Sequence, residues 1–406
     1  MSLYRFGNYN AFIILYIITC SIAFISKIGY NPPPEYIQYS IFIFWIIIAL
    51  LKLSKNKFKL LGEDLVIKEF FLIFLIPKVI IHIYSLVLYI LGKTEYITRN
   101  TKTYLVILSV FSIIYIFKRS ALKYTIVAAL MSYIWIIIYN IFFYGIKTIP
   151  ETIKFFFTGD LIYDSSARLY EVHDYTFAIG YLVLFYLLLK KRFTKKDLVY
   201  CYIFIIFLLL GLKRIQIIAI ILVFVYVVIS KFIYNKYKFY KITSYIYFII
   251  AYIFIWMLSN NTFFELLNKF NINSMGRNYY YKAVIDFCEF NPMFLGFGRN
   301  WVPNMLVNNY SYFNVGGVHS DILKYYAECG FILFGIWIWY YMIRVLKFMK
   351  RRYSINSISV YFILTLYTFI LYYTDNIDTY FVSQFIYMMI VTIVALSDNN
   401  RYKKPE

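Results

Sequence analysis

Charge is scarce in this chain. Only 15% of its 406 residues are Asp, Glu, Lys or Arg, against roughly 25% in soluble globular domains. Apolar residues make up 62% and aromatics 23%, and the mean hydropathy is +0.67. A water-soluble fold of this length cannot cover so much apolar surface, which excludes soluble enzymes and DNA-binding domains. Histidine is rarer still, with three residues, and there is no His cluster, no HExxH and no DxD in an outside loop, so metal catalysis is not expected. The four cysteines (Cys20, Cys201, Cys288, Cys329) are scattered, with neither CxxC nor metal spacing. Cys20 and Cys201 fall inside apolar runs and read as core, and the sequence does not decide whether Cys288 and Cys329 pair outside the membrane. The abundance of Tyr, Ile, Lys and Asn is read as compositional bias. No internal repeat is visible, which weakens transporter readings built on inverted halves.

What the chain has instead is long apolar runs. A membrane-crossing helix needs about 20 mostly apolar residues, and twelve segments are candidates: Ala11–Ile25, Ile37–Leu53, Phe70–Leu91, Tyr104–Phe117, Tyr124–Phe143, Tyr175–Leu189, Leu198–Leu212, Ile215–Tyr234, Ile242–Leu258, Cys329–Ile343, Ser357–Tyr373 and Thr379–Leu396. The first is read as a retained span. Arg5 and the Ser21-Ile-Ala23 triplet resemble a signal peptide, but the apolar run continues through Phe24-Ile25. The formal charge of +21 is a topology signal. With the N-terminus inside, the inside segments hold 26 of the 41 Lys and Arg and the outside segments 13, the bias that keeps cationic loops cytoplasmic. Both termini are therefore expected in the cytoplasm, and nucleic-acid binding loses its support. The expected architecture is all-α: a single integral membrane domain over 1–406 with about twelve spans. Two long loops are expected outside, about 144–174 and 259–328. The larger one contains helical patterns at Asn261–Phe270 and Asn278–Phe290, the second stopped by Asn291-Pro292. Their apolar content suggests helices capping a cavity at the outer membrane surface.

Cations on the outer side run against that bias and carry information. Lys213 and Arg214 form the whole turn between two spans, Arg277 follows Ser274-Met-Gly276, Arg299 lies in Gly296-Phe-Gly-Arg-Asn300, and Arg168 precedes a span. Each alone reads more readily as a surface or snorkelling cation. Four arginines on one face point to an anionic ligand, since the planar guanidinium makes paired charge-assisted hydrogen bonds to phosphate. His319 opens the segment His319-Ser-Asp-Ile-Leu-Lys-Tyr-Tyr-Ala-Glu-Cys-Gly330, with Asp321 expected next to the imidazole. An imidazole there can accept a hydroxyl proton near neutral pH or simply make an interfacial hydrogen bond. His82 and His173 read as polar bundle contacts, and Asp375 and Asp378 as solvated turn residues.

Several stretches resemble the O-antigen polymerase and ligase group of bacterial membrane glycosyltransferases, the Wzy type. Ser274-Met-Gly-Arg-Asn278 followed by Asn291-Pro-Met-Phe-Leu-Gly-Phe-Gly298 is similar to that group's "GR…NPxxGxG" stretch. His319-Ser-Asp-Ile-Leu323 with Glu328-Cys-Gly330 is similar to its "HNxxL…E-x-G" segment, with Ser where Asn is common. Lys213-Arg214 resembles its basic turn before a span, and Arg168 to Tyr175 a further stretch. The motifs cover about residues 160–335, while the first five spans match only in being hydrophobic.

The resemblance implies a glycosyltransferase C-like membrane fold in the bacterial cytoplasmic (inner) membrane, with the active site opposite the cytosol. It implies a substrate that is a polyprenyl-diphosphate-linked oligosaccharide, no cofactor, no metal and no nucleotide sugar, and a chain-length regulator as a further partner. Under it, Arg214, Arg277 and Arg299, with Lys213 and Arg168, hold the diphosphate. His319 deprotonates or orients the acceptor hydroxyl, with Asp321 or Glu328 orienting it, and Tyr279, Tyr280, Tyr281, Trp301 and Tyr310 stack on sugars or pack. The product would be O-antigen, capsule or exopolysaccharide made by a polymerase. A ligase of the same group, or a polysaccharide flippase or transporter, is the alternative.

Overall fold

A computed structural model describes residues 6–57, 60, 62–94, 101–158, 169–190, 194–271, 274, 276–309 and 317–398. The described residues are overwhelmingly α-helical and contain no β-strand, only one isolated bridge between Ile28 and Asn31. In chain order the first ten helices are α1 (Phe6–Ala23), α2 (Glu35–Lys55), α3 (Glu63–Ile90), α4 (Thr101–Phe117), α5 (Ala121–Tyr144), α6 (Thr148–Thr158), α7 (His173–Leu184), α8 (Lys195–Leu210), α9 (Arg214–Phe232) and α10 (Lys236–Ser259). There follow three short ones, α11 (Thr262–Lys269), α12 (Arg277–Ile285) and α13 (Trp301–Asn309), and then α14 (Asp321–Trp339), α15 (Val345–Arg352), α16 (Ile355–Leu371) and α17 (Phe381–Leu396).

Each of the twelve apolar runs lies on a helix. Among the described residues, six helical stretches are long and apolar enough to cross a membrane, and four shorter apolar ones join them. One of the six, Lys102–Tyr144, is 43 residues long, about twice what one crossing requires. It turns at Lys118, whose φ of 53° breaks the helical path, and so accounts for two runs. Helices α9 and α10 leave Ile218, Ile221, Leu222, Ile246, Ile249 and Ile250 exposed. Such apolar area is untenable in water and ordinary against lipid. The chain is a polytopic membrane protein.

The chain divides into two compact units. The first comprises Met1–Phe71, Lys102–Phe224 and Tyr380–Glu406. Its helices meet through aromatic and hydroxyl contacts. Tyr16 shares a 2.6 Å hydrogen bond with Thr125, Trp45 Nε1 donates to Thr19 Oγ1 at 3.0 Å, and Phe42 stacks on Phe381. The start of α7 is tied to α17 by Asp174, whose carboxylate accepts from Ser383 N at 2.9 Å while its carbonyl accepts from Ser383 Oγ at 2.8 Å.

The second unit comprises Leu72–Thr101 and Val225–Thr379. Here α14 is kinked at Gly330 (φ 72°, ψ −179°) and passes into a π-helical turn at Tyr340–Arg344. Both departures free backbone carbonyls that lipid cannot satisfy. Hydroxyls from neighbouring helices take them up. Tyr252 OH donates to Phe331 O at 2.8 Å, Ser244 Oγ to Met342 O at 2.8 Å and Tyr361 OH to Tyr341 O at 2.6 Å. The tyrosines therefore do more than reflect compositional bias.

Two readings of the long loops need correction. The helix expected over Asn278–Phe290 ends at Ile285, where Asp286 and Phe287 turn. Two helices were not anticipated, α6 and α13, because both are short and α13 carries Pro303 in its first turn. Helix α14 begins at Asp321, where the spacing of His319, Ile322 and Leu323 predicts a helix starting near Ser320, and runs on into the apolar span from Cys329; Ser320 caps it, its Oγ accepting from Leu323 N at 3.2 Å.

Candidate active site

The capped start of α14 fixes His319. The residue adopts φ 53°, a left-handed conformation uncommon outside glycine, and its carbonyl accepts from Tyr281 OH at 3.1 Å. The same hydroxyl lies 3.0 Å from Tyr373 O, so one tyrosine of α12 ties together the segments on either side of the imidazole. The carboxylate beside the ring is Asp375, with Oδ1 3.8 Å from Nδ1; the Asp375 side chain is buried and that of His319 is 28% exposed. Asp321, expected to flank the imidazole, instead directs Oδ2 at the backbone N–H of Asp378, 2.7 Å away.

Asp375 and Asp378 are not solvated turn residues: they are 1% and 8% exposed. The loop between α16 and α17 folds inward because Lys78, inside the apolar helix α3, draws the Asp378 carboxylate into an ion pair. Lys78 Nζ also donates to Tyr325 OH at 2.6 Å, and that hydroxyl donates to Asp378 Oδ2 at 2.7 Å. Burial pushes the Asp378 carboxyl up, but the charges of Lys78, then Lys324 and Arg299, outweigh it and hold the group below the usual carboxylate range. Lys324 and Arg299 also act on Glu328, and Lys324 and Lys78 on Asp321. Three cations and three carboxylates thus share one interior region of the second unit.

Arg299 reaches this region through a backbone device. The stretch Phe294–Gly298 lies along the kink of α14. Phe297 N donates to Ala327 O, Gly298 N to Glu328 O and Phe331 N to Phe294 O, each at 2.9 Å. A Cβ on Gly296 would run into the backbone of Gly330 and Cys329, and one on Gly330 into that of Leu295 and Phe294; both glycines have positive φ. Only two glycines allow this approach. The "NPxxGxG" and "E-x-G" stretches are therefore the two halves of one junction. Arg299, the next residue, is 4% exposed with its N–H donating to Ser85 Oγ at 2.8 Å, so it is not a surface or snorkelling cation.

Residues 199–338 match the family model of the O-antigen ligase (Wzy_C) domain. No curated protein and no solved structure matches the chain. The Wzy_C domain runs from within α8 to near the end of α14 and includes Lys213, Arg214, Arg277, Arg299, His319, Asp321, Lys324, Tyr325 and Glu328. Lys78, Asp375 and Asp378 lie outside it.

The second unit thus holds Arg299, His319, Asp321 and Glu328 together, with Arg277 at the start of α12, half-buried and one turn from Tyr281, on which its charge acts. Lys213 and Arg214 belong to the first unit. There Lys213 Nζ pairs with Glu171 Oε1 at 3.0 Å, while Arg214 is exposed at the start of α9. Their turn is tight because Gly211 sits against Thr176, whose carbonyl accepts from Gln216 Nε2. Arg168 and Tyr310 lie outside the described residues. Of the other aromatics, Tyr279 is exposed, Tyr281 is buried and hydrogen-bonded, and Trp301 stacks on Phe297 with centroids 4.2 Å apart. Among the described residues no group of three or more His, Cys, Asp or Glu side chains is placed to hold a metal ion.

Tyr325 carries no signal in the sequence, and Asp375 and Asp378 read there as solvated turn residues. Lys78 and Lys324 are legible only as charges within or beside apolar runs. An ionisable residue inside an apolar span asks for a partner and a function, and that signal was the legible one.

Proposed function

We propose that the chain is a polymerase of the bacterial inner membrane that joins polyprenyl-diphosphate-linked oligosaccharide repeat units on the extracytoplasmic face. The acceptor's hydroxyl oxygen bonds to the anomeric carbon of the donor sugar, the bond from that carbon to the diphosphate breaks, and the electron pair leaves on the lipid diphosphate. The hydroxyl proton passes to His319, with Asp375 beside Nδ1 as the group that stabilises the charged ring. Arginine supplies compensating charge as the diphosphate develops its own: Arg299 and Arg277, both in the second unit. The energy is stored in the sugar–diphosphate bond, so no nucleotide sugar or metal is invoked. The product would be O-antigen, capsule or exopolysaccharide.

The observation that carries this reading is the junction at Gly330. It gathers a buried arginine, two acids and a histidine-led helix start inside the Wzy_C domain of an otherwise apolar protein. Purified protein given a lipid-linked repeat unit should produce a ladder of oligomers. Arg277→Ala and His319→Ala should insert normally and leave single repeats; unchanged chain length would overturn the assignment. The second reading, a ligase, is favoured by the description of the matched family. It predicts no ladder from repeat units alone and glycan transfer once a lipid A core or protein acceptor is added. A flippase would instead lose every surface repeat unit on deletion.

A further inference from the structure

The reaction as proposed makes no use of Lys78. Burying a lysine inside an apolar helix is costly, and a paired ion is often replaceable by apolar residues without loss of stability. Its retention therefore asks for a purpose beyond holding helices together.

Lys78 is one corner of a closed triangle. Its Nζ donates to Asp378 and Tyr325, and Tyr325 donates to the second oxygen of Asp378. Both oxygens of Asp378 are thereby occupied, which fixes the short turn Ile377–Thr379 in orientation. That turn then acts through its backbone, the Asp378 N–H donating to Asp321 Oδ2. The other oxygen, Asp321 Oδ1, is fully buried with no hydrogen-bond partner among the described residues. A buried carboxylate with one oxygen held and the other unpartnered lacks a donor that a bound group can supply.

We propose that Lys78, acting through Asp378 and Tyr325, is a positioning residue for Asp321, and that Asp321 Oδ1 accepts a hydrogen bond from a hydroxyl of the glycan substrate. The inference rests on the reading of this site as a glycan transferase. Lys78 and Asp378 both lie outside the Wzy_C domain, so the domain match assigns them nothing.

The test is a double variant, Lys78→Met with Asp378→Leu, which removes both charges and leaves no uncompensated ion. Monodispersity in detergent reports folding. Turnover on lipid-linked repeat units should fall about tenfold or more, the loss expected for one misaligned charged hydrogen bond, with KM little changed. On an Asp321→Asn background the same pair should cost nothing further. Wild-type turnover in the double variant, or a loss that simply adds to that of Asp321→Asn, overturns the proposal. If the double variant does not fold, Lys78→Arg, which keeps the cation, should retain turnover, and Tyr325→Phe, which loses one hydroxyl, should reduce it; the reverse order overturns the proposal. If the intact protein transfers no glycan at all, the function proposed above fails and the substrate-hydroxyl claim falls with it. Positioning is then decided by the carboxyl ¹³C resonance of Asp321, assigned through Asp321→Asn: it should move in Tyr325→Phe and stay in place in Lys78→Arg, and a resonance unmoved in Tyr325→Phe overturns the claim.

Discussion

The amide of Gly298 donates to the carbonyl of Glu328 across 2.9 Å, and that bond aligns the stretch before Arg299 with the broken helix that carries His319 at its start. Gly296 and Gly330 lie back to back beside it, each at positive φ. Alanine at either position would combine a left-handed penalty of about 1–2 kcal/mol with a backbone collision that no side-chain movement relieves. Gly296→Ala and Gly330→Ala are therefore expected to lower the melting temperature and abolish polymer formation. Gly62→Ala, with positive φ but open space around the site, should show only the smaller penalty and keep activity.

Proton transfer is expected to depend on the His319–Asp375 pair. His319→Ala should reduce turnover by about 10²–10⁴, the usual yield of a positioned general base, with normal membrane insertion. Asp375→Asn keeps the shape but removes the charge beside Nδ1, so it should reduce turnover less than His319→Ala and add nothing to it. Single-turnover kinetics with a lipid-linked donor and acceptor would check both.

Tyr281 joins His319 O and Tyr373 O with one hydroxyl. Tyr281→Phe keeps the ring packing of α12 and loses only that donor. The expected cost is about 1 kcal/mol of stability, read as a small fall in melting temperature. A larger fall in turnover than in donor affinity is expected, because the imidazole is then less firmly held.

The Asp378 carboxyl is held below the 3.8 of an ordinary aspartate, burial being outweighed by Lys78, Lys324 and Arg299. A depressed folded-state value means that the stabilisation is fully present above 3.8 and disappears only as pH falls through the lower, folded-state value. Melting temperature in detergent should thus be insensitive to this group near neutrality and fall in acid below 3.8. Asp378→Asn should be less stable at neutral pH, since Lys78 loses its counter-charge, and should flatten the acid limb. An unchanged acid limb in that variant would assign it to other carboxylates.

The matched family agrees with the resemblance drawn from Ser274–Gly298 and His319–Gly330. Those residues were readable because glycine, proline and arginine at fixed spacing keep their meaning at short range. The carboxylate beside His319 was misjudged for the opposite reason. Asp321 is two residues away in sequence, but helix α14 starts at Asp321 and turns its side chain toward Asp378 N. Asp375, more than fifty residues on, is brought in by the loop after α16.

The sequence by itself determined the medium and the elements: its apolar runs leave no soluble alternative, and nearly every helix the structure forms there was marked by hydropathy, because a backbone in lipid must satisfy its own hydrogen bonds. Which charges meet was decided only in three dimensions. Lys78, Tyr325 and Asp378 come from three distant segments, and no local pattern announces a pairing whose energy exists only once all three leave water together.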